Sequence, residues 1–134
     1  MKYAVRYFTR TGNTEKLAVE VAKELGVTAL TTSTPLTEHV DYLFLGSSVY
    51  AAGVDDEIIN FIKNNRNNIG QIVNFSTAAL LPSTYKQVSK LAAENGIKMS
   101  EKEFHCRGSF AMMHKNHPDA EDIENVRLFA RDFN

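Results

Sequence analysis

Short apolar runs alternate along the chain with stretches whose apolar residues recur at helical spacing. Tyr3–Phe8 predicts a strand, interrupted by one charge at Arg6. After it, Leu17, Ala18, Val21, Ala22 and Leu25 form one stripe of a helix over Thr14–Leu25, and Gly26 stops it. Val27–Thr31 predicts a weak second strand. The Thr/Ser/Pro stretch Thr31–Thr37 leaves little room for a helix before Tyr42–Gly46, which is continuously apolar as a strand covered on both faces should be. Asp55, Asp56 and Glu57 put negative charge on the first turn of a helix carrying Ile58, Ile59, Phe61 and Ile62. The pattern then repeats, with a strand at Gln71–Ser76, a helix at Ser83–Asn95 and a fifth strand at Glu103–Cys106 and its neighbours. A last helix runs from about Asp119 to Asp132. Pro118 lies at or just before its first turn, where a missing N–H costs nothing.

This alternation implies right-handed crossovers and a mostly parallel five-stranded sheet covered on both faces, a three-layer α/β sandwich. Ligands of such sheets bind past the carboxyl ends of the strands, where strand order reverses. The loops there are Thr9–Thr14, Ser47–Gly53 and Ser76–Leu81, each rich in small or hydroxylated residues, and they should meet at one crevice. Arg6 is expected to pair with a carboxylate or to reach the sheet edge, because an unpaired buried charge is costly.

The first loop carries the clearest chemistry. Thr9-Arg10-Thr11-Gly12-Asn13-Thr14 sets backbone N–H groups at a helix N-terminus, where anions bind. The hydroxyls of Thr9, Thr11 and Thr14 add donors, and Gly12 lets the backbone turn and approach closely. The loop has no lysine of the Walker type and lacks the Gly-x-Gly-x-x-Gly dinucleotide fingerprint, so it suits a single terminal phosphate. Arg10 is either a cation beside that phosphate or an exposed arginine without a ligand role.

Composition narrows the classes. At 134 residues the chain is expected to form one domain, residues 1–134, large enough for a real core. A net charge of −1 and the absence of a basic cluster offer nothing to nucleic acid. No apolar stretch approaches the ~20 residues needed to span a bilayer. The single cysteine, Cys106, and the lack of an apolar signal segment before the first strand lead to the expectation of a cytoplasmic protein.

In its order of strands and helices and in two of its loops, the chain resembles the flavodoxin family. Thr9–Thr14, placed between the first strand and the first helix, resembles the FMN-phosphate loop. Gly46-Ser47-Ser48-Val49-Tyr50-Ala51-Ala52-Gly53 resembles the second FMN loop of short flavodoxin-like proteins. The resemblance implies a sheet order of 2-1-3-4-5 with FMN at the switch point, the placement general to flavodoxin itself. It assigns Thr9, Thr11, Asn13 and Thr14, with the loop amides, to the ribityl phosphate. It assigns Ser47 through Gly53 (Ser47, Ser48, Val49, Tyr50, Ala51, Ala52, Gly53) to the second loop, with Ser48 onward at the isoalloxazine. Tyr50 is there either the stacking aromatic or a partly buried anchor of the loop. Ser76, Thr77, Ala78 and Ala79 fall at the pyrimidine end. The chain departs from the pattern in having no tryptophan, no aromatic in the third loop before Tyr85, and no strongly acidic balance.

The implied function is electron transfer through non-covalently bound FMN to a redox partner protein. Two alternatives stand beside it. One is a small FMN-dependent oxidoreductase acting on a flat substrate, a quinone or a porphyrin type. The other, motivated by the missing second aromatic, is a non-redox interaction module that has lost FMN. His114-Lys115-Asn116-His117 with His105-Cys106 lacks the flanking motif of a closed zinc site, so no metal is expected. Cys106 reads as a small apolar filler rather than a nucleophile, and Phe110-Ala111-Met112-Met113 as core or a partner-facing lip. The sequon at Asn74-Phe75-Ser76 is set aside because it falls in a buried strand.

Overall fold

In the computed structural model, which describes residues 1–49, 54–78, 83–107 and 117–133, strand β1 (Tyr3–Tyr7) leads through a tight loop into helix α1 (Asn13–Leu25). Then follow β2 (Ala29–Thr31), β3 (Val40–Val49), α2 (Asp56–Asn65), a 3-10 turn (Arg66–Asn68), β4 (Ile69–Ala78), α3 (Tyr85–Glu94), β5 (Lys98–Met99), β6 (Phe104–Arg107) and α4 (Ala120–Arg131). Every pairing is parallel and the order is β2-β1-β3-β4-β5, as expected.

The fifth position differs from the expected single strand. β5 pairs with Gln71 and Ile72, and β6 pairs with Phe75–Ala78 on the same side of β4. Residues 100–103 therefore stand opposite residues 73–74, and the surplus interrupts the ladder. Two paired residues at Lys98–Met99 carry no readable period, which is why the sequence does not reveal them.

The strands alternate strictly between two cores. Val5, Tyr7, Phe44, Val73 and Phe75 meet the apolar stripe of α1 and the inner face of α4. Phe129 of that last helix and Phe133, just past its end, stand edge-on to Phe44. Ala4, Leu43, Leu45 and Ile72 meet Ile58, Phe61 and Ile62 of α2 and Val88 and Ala92 of α3.

No helix spans the described connection from β2 to β3, and residues 32–39 cross the sheet as irregular chain. Leu36 plugs the second core. Its N–H donates to Asn65 Oδ1 at 2.9 Å, and its carbonyl accepts from Asn68. Arg6 pins the same segment, donating to the carbonyls of Thr34 at 2.9 Å and Pro35 at 3.4 Å, and to that of Val5 at 3.1 Å. Of the two expectations for Arg6, a carboxylate partner or reach to the sheet edge, the first is not met among the described residues, where backbone oxygens take the carboxylate's place. Burial holds the guanidinium below its ordinary pKa.

Candidate functional site

The site is built on the carboxyl ends of β1, β3 and β4, where the strands change from apolar to hydroxylated residues. Both β3 and β4 run further than expected. Ser47–Val49 and Thr77–Ala78, expected in loops, are the last rungs of the ladder, with Ser47 opposite Ser76 and Ser48 opposite Thr77. Polar side chains can be buried there because they satisfy one another.

They do so on both faces of the sheet. Toward α1, Thr14 Oγ1 lies 2.7 Å from Ser48 Oγ and 3.0 Å from Thr77 Oγ1, and the latter two are 3.1 Å apart. Toward α3, Ser47 Oγ donates to Thr84 Oγ1 at 2.8 Å. The Asn74 amide donates to the same oxygen at 3.0 Å, and the Thr84 N–H donates to Ser76 Oγ at 3.3 Å. Thr14, Ser47, Asn74, Ser76 and Thr84 are fully buried, and Thr77 and Ser48 nearly so. The two clusters fasten the first turns of α1 and α3 to the sheet. The Thr14 hydroxyl, expected to face a phosphate, is bonded inward, which leaves its backbone N–H for a ligand.

The loop from β1 to α1 has the shape an anion requires. Gly12 caps α1 in the left-handed region, at φ 85°, and no side chain caps the helix there. A Cβ at Gly12 would meet nothing within 4 Å among the described residues. The N–H groups of Thr11 and Gly12 turn back onto Thr9 Oγ1 at 3.3 and 3.2 Å, gathering the loop around its hydroxyls. Asn13 is buried at the first helical position. Gly46 makes this approach possible, because a Cβ there would fall 2.4 Å from a Phe75 ring carbon and 2.8 Å from Thr14 Cγ2.

Charges frame the loop. Arg10 pairs with Asp55, its Nε donating to Oδ2 at 2.9 Å. Asp55 is also the N-cap of α2 and accepts from the Glu57 N–H at 3.1 Å. Burial raises the Asp55 pKa, but the Glu57 N–H and the Arg10 guanidinium outweigh it and hold the carboxyl below its ordinary value. Arg10 thus ties the first loop to the start of α2. Beneath it the Tyr7 hydroxyl donates to Glu15 at 2.9 Å, and burial followed by that carboxylate raises the phenol's pKa.

Of the expected second and third loops, Tyr50, Ala51, Ala52, Gly53 and Ala79 lie outside the described residues, as do Phe110–Met113 and His114. For Val49 and Ala78 only the strand backbone is described.

His105, expected from the sequence to hold no metal, lies at the edge of this site beside Glu103. His105 Nδ1 is 2.7 Å from Glu103 Oε1, and Glu103 Oε2 accepts from Ser83 ahead of α3 at 3.0 Å. His105 stands opposite Ser76 in the ladder. The readable signal was an acid and an imidazole two residues apart, on one face of an extended segment. His117 instead joins Asp119 and Asp122 in a group of possible metal-ligating atoms within 4.8 Å of one another. These residues cap α4: Asp119 and Asp122 form a reciprocal capping box, and His117 Nδ1 is 2.7 Å from Asp122. Cys106 packs against the α1–α4 core; burial first, then Asp122 and Asp119, push its thiol up to about 12. It is therefore protonated at neutral pH and a poor nucleophile.

Comparison with known proteins agrees with this geometry. Residues 4–108 match the family model described as "Flavodoxin domain". An uncharacterized protein of Methanocaldococcus jannaschii is 27% identical over 133 residues, covering 89% of this chain and 88% of its own. Among solved structures, a flavodoxin from the domain Archaea superposes with a TM-score of 0.81 at 14% identity, covering 98% of this chain and 95% of its own. Flavodoxin 1 from Bacillus cereus gives 0.72 at 18% identity, over 99% and 97% of the two chains. The flavodiiron core of Flv1 from Synechocystis sp. gives 0.77 at 15% identity, with 98% of this chain matching 34% of that one.

Proposed function

The chain belongs to the flavodoxin family, and on that premise we propose that it binds FMN without a covalent bond and passes electrons to a redox partner protein. One observation carries the reading. The uncapped start of α1 opens beside a threonine-rich loop at the point where strand order reverses, between β1 and β3.

In this reading the backbone N–H groups at the start of α1, the hydroxyls of Thr9 and Thr11, and Asn13 hold the terminal phosphate with the helix dipole behind them. The Thr14 hydroxyl fixes the helix to β3 and β4, so that these donors are already aimed before the ligand arrives. Ser47–Gly53 and Ser76–Ala79 flank the ring, with Tyr50 against its face. The flavin, when bound, supplies the redox chemistry, and the protein sets where it lies and what touches its edge.

The test is a titration of the purified full chain with FMN and, separately, with riboflavin, followed by flavin fluorescence. Each charge-assisted hydrogen bond to the phosphate is worth ~1.5–3 kcal/mol, so FMN should bind at least ~10-fold tighter than riboflavin. Equal affinity for the two, or uptake of neither, overturns the assignment. A second reading, a small FMN-dependent reductase, is favoured by His105, which is exposed opposite Ser76 and hydrogen-bonded to the partly buried Glu103. Turnover that His105→Gln abolishes while FMN affinity is kept would establish it.

A further inference from the structure

We propose that the face of β1 and β2 beside the β2–β3 connection is a second ligand site, one that takes a small monocarboxylate with a short apolar chain and seats it on the Arg6 guanidinium. A cavity of about 220 Å³ lies there, with Ala4, Arg6, Leu30, Leu36, Thr37 and Glu38 in its wall. It exists because no helix covers the described connection after β2. Residues 32–39 cross the sheet as irregular chain, and Leu30, opposite Arg6 in the ladder, is left 37% exposed.

Arg6 is the observation that points to a ligand. It is only 8% exposed, forms part of the cavity wall and meets no carboxylate among the described residues. A guanidinium carries five N–H groups. Nε, Nη2 and Nη1 each donate one, to the carbonyls of Thr34, Pro35 and Val5. One N–H on each terminal nitrogen is left over, a pair that a carboxylate accepts with its two oxygens. The three carbonyls explain how Arg6 holds the connection, but they bring no negative charge. A buried charge is costly until an opposite charge meets it. Burial alone displaces the Arg6 pKa, downward, with no neighbouring carboxylate pulling the other way.

The rest of the wall defines the ligand's body. Ala4, Leu30 and Leu36 are apolar, which suits a hydrocarbon chain, and the Thr37 hydroxyl is a further donor for an anion. The volume is below the ~300–1,000 Å³ of drug-sized sites, which limits the occupant to a small acid. Glu38 is the one acidic residue in the wall. Its carboxylate is taken by the Lys2 ammonium at 2.9 Å and its side chain is 63% exposed, so it stands at the mouth as half of a neutral pair. An anion can therefore pass it to reach the buried cation. The inference does not rest on the FMN reading, because no residue of the phosphate loop lines this cavity.

The experiment is an NMR titration of the ¹⁵N-labelled full chain with hexanoate and with hexanamide, at constant ionic strength, with and without saturating FMN. Hexanoate should shift the amides of Thr28, Leu30 and Thr37 saturably, with a Kd below about 10 mM. Hexanamide has the same shape without the charge and should bind at least about tenfold more weakly. Leu30→Glu supplies from within the chain the carboxylate that the ligand brings. It should weaken hexanoate at least about tenfold and leave the melting temperature unchanged or raised. Glu38→Gln removes the negative charge at the mouth and should tighten hexanoate. Neither variant touches the bonds from Arg6 to the connection, so both test the site in a folded chain. No saturable shift, hexanamide binding as tightly as hexanoate, or an unchanged hexanoate affinity in Leu30→Glu overturns the proposal. Shifts confined to residues 9–14 and removed by saturating FMN assign the anion to the phosphate loop and also overturn it. Hexanoate bound by a chain that takes up no FMN supports this site and sinks the flavin reading alone.

Discussion

Arg10 shows how little a residue's type says about its partner. In the sequence it stands inside a phosphate loop, yet in the structure its guanidinium meets Asp55, 45 residues away. The pair is largely exposed on the arginine side, so breaking it should cost under ~1 kcal/mol of stability. Its effect should fall on the ligand instead, because it holds the first loop against the start of α2. Arg10→Ala is expected to weaken FMN and riboflavin by the same factor, whereas a phosphate contact would weaken FMN alone; paired fluorescence titrations read the difference. Gly46 carries a different constraint. A methyl group there collides with the Phe75 ring and the Thr14 side chain, both buried. Gly46→Ala should therefore destabilise the fold by ~1–3 kcal/mol in urea unfolding, as overpacked cores do.

Among the helices, α2 is capped by Asp55 and α4 by the Asp119–Asp122 box, whereas α1 at Gly12 and α3 at Thr84 have no side-chain cap. The sequence placed Asp55 on the first turn of α2 and Asp119 at the start of α4, and the structure makes both N-caps. The part of His117 in the α4 cap was not legible, because His117 lies outside the helix and acts only through the turn that folds it back. Its hydrogen bond to Asp122, opposed by desolvation and reinforced by the charges of Asp122, Asp119 and Glu121, raises its pKa. A histidine whose folded pKa is raised contributes stability that is complete below its unfolded pKa and lost as pH rises through the folded value. Thermal unfolding followed from about pH 6 to about pH 8 should show this decline in the wild-type chain, and His117→Gln should flatten it.

At the scale of the whole molecule, two buried hydroxyl clusters join what the sequence keeps apart. Thr14, Ser48 and Thr77 come from α1, β3 and β4, so the start of α1 and two strand ends form one polar unit. Thr77→Val keeps the shape and removes one member of the cluster. It should cost ~1–2 kcal/mol in chemical denaturation and weaken FMN, although no contact between the Thr77 hydroxyl and the ligand is required. The strand–helix alternation and the parallel sheet were readable from periodicity alone. Apolar spacing decides which face is buried, and a hydroxyl- and glycine-containing loop before a helix suits an anion wherever it occurs. Other features depend on residues distant in sequence and carry no local signal: the longer β3 and β4, the split fifth position, the carbonyl partners of Arg6 and the Arg10–Asp55 pair. A polar residue can be buried only once another chain segment meets its hydrogen-bonding groups, and that meeting is a property of the folded molecule.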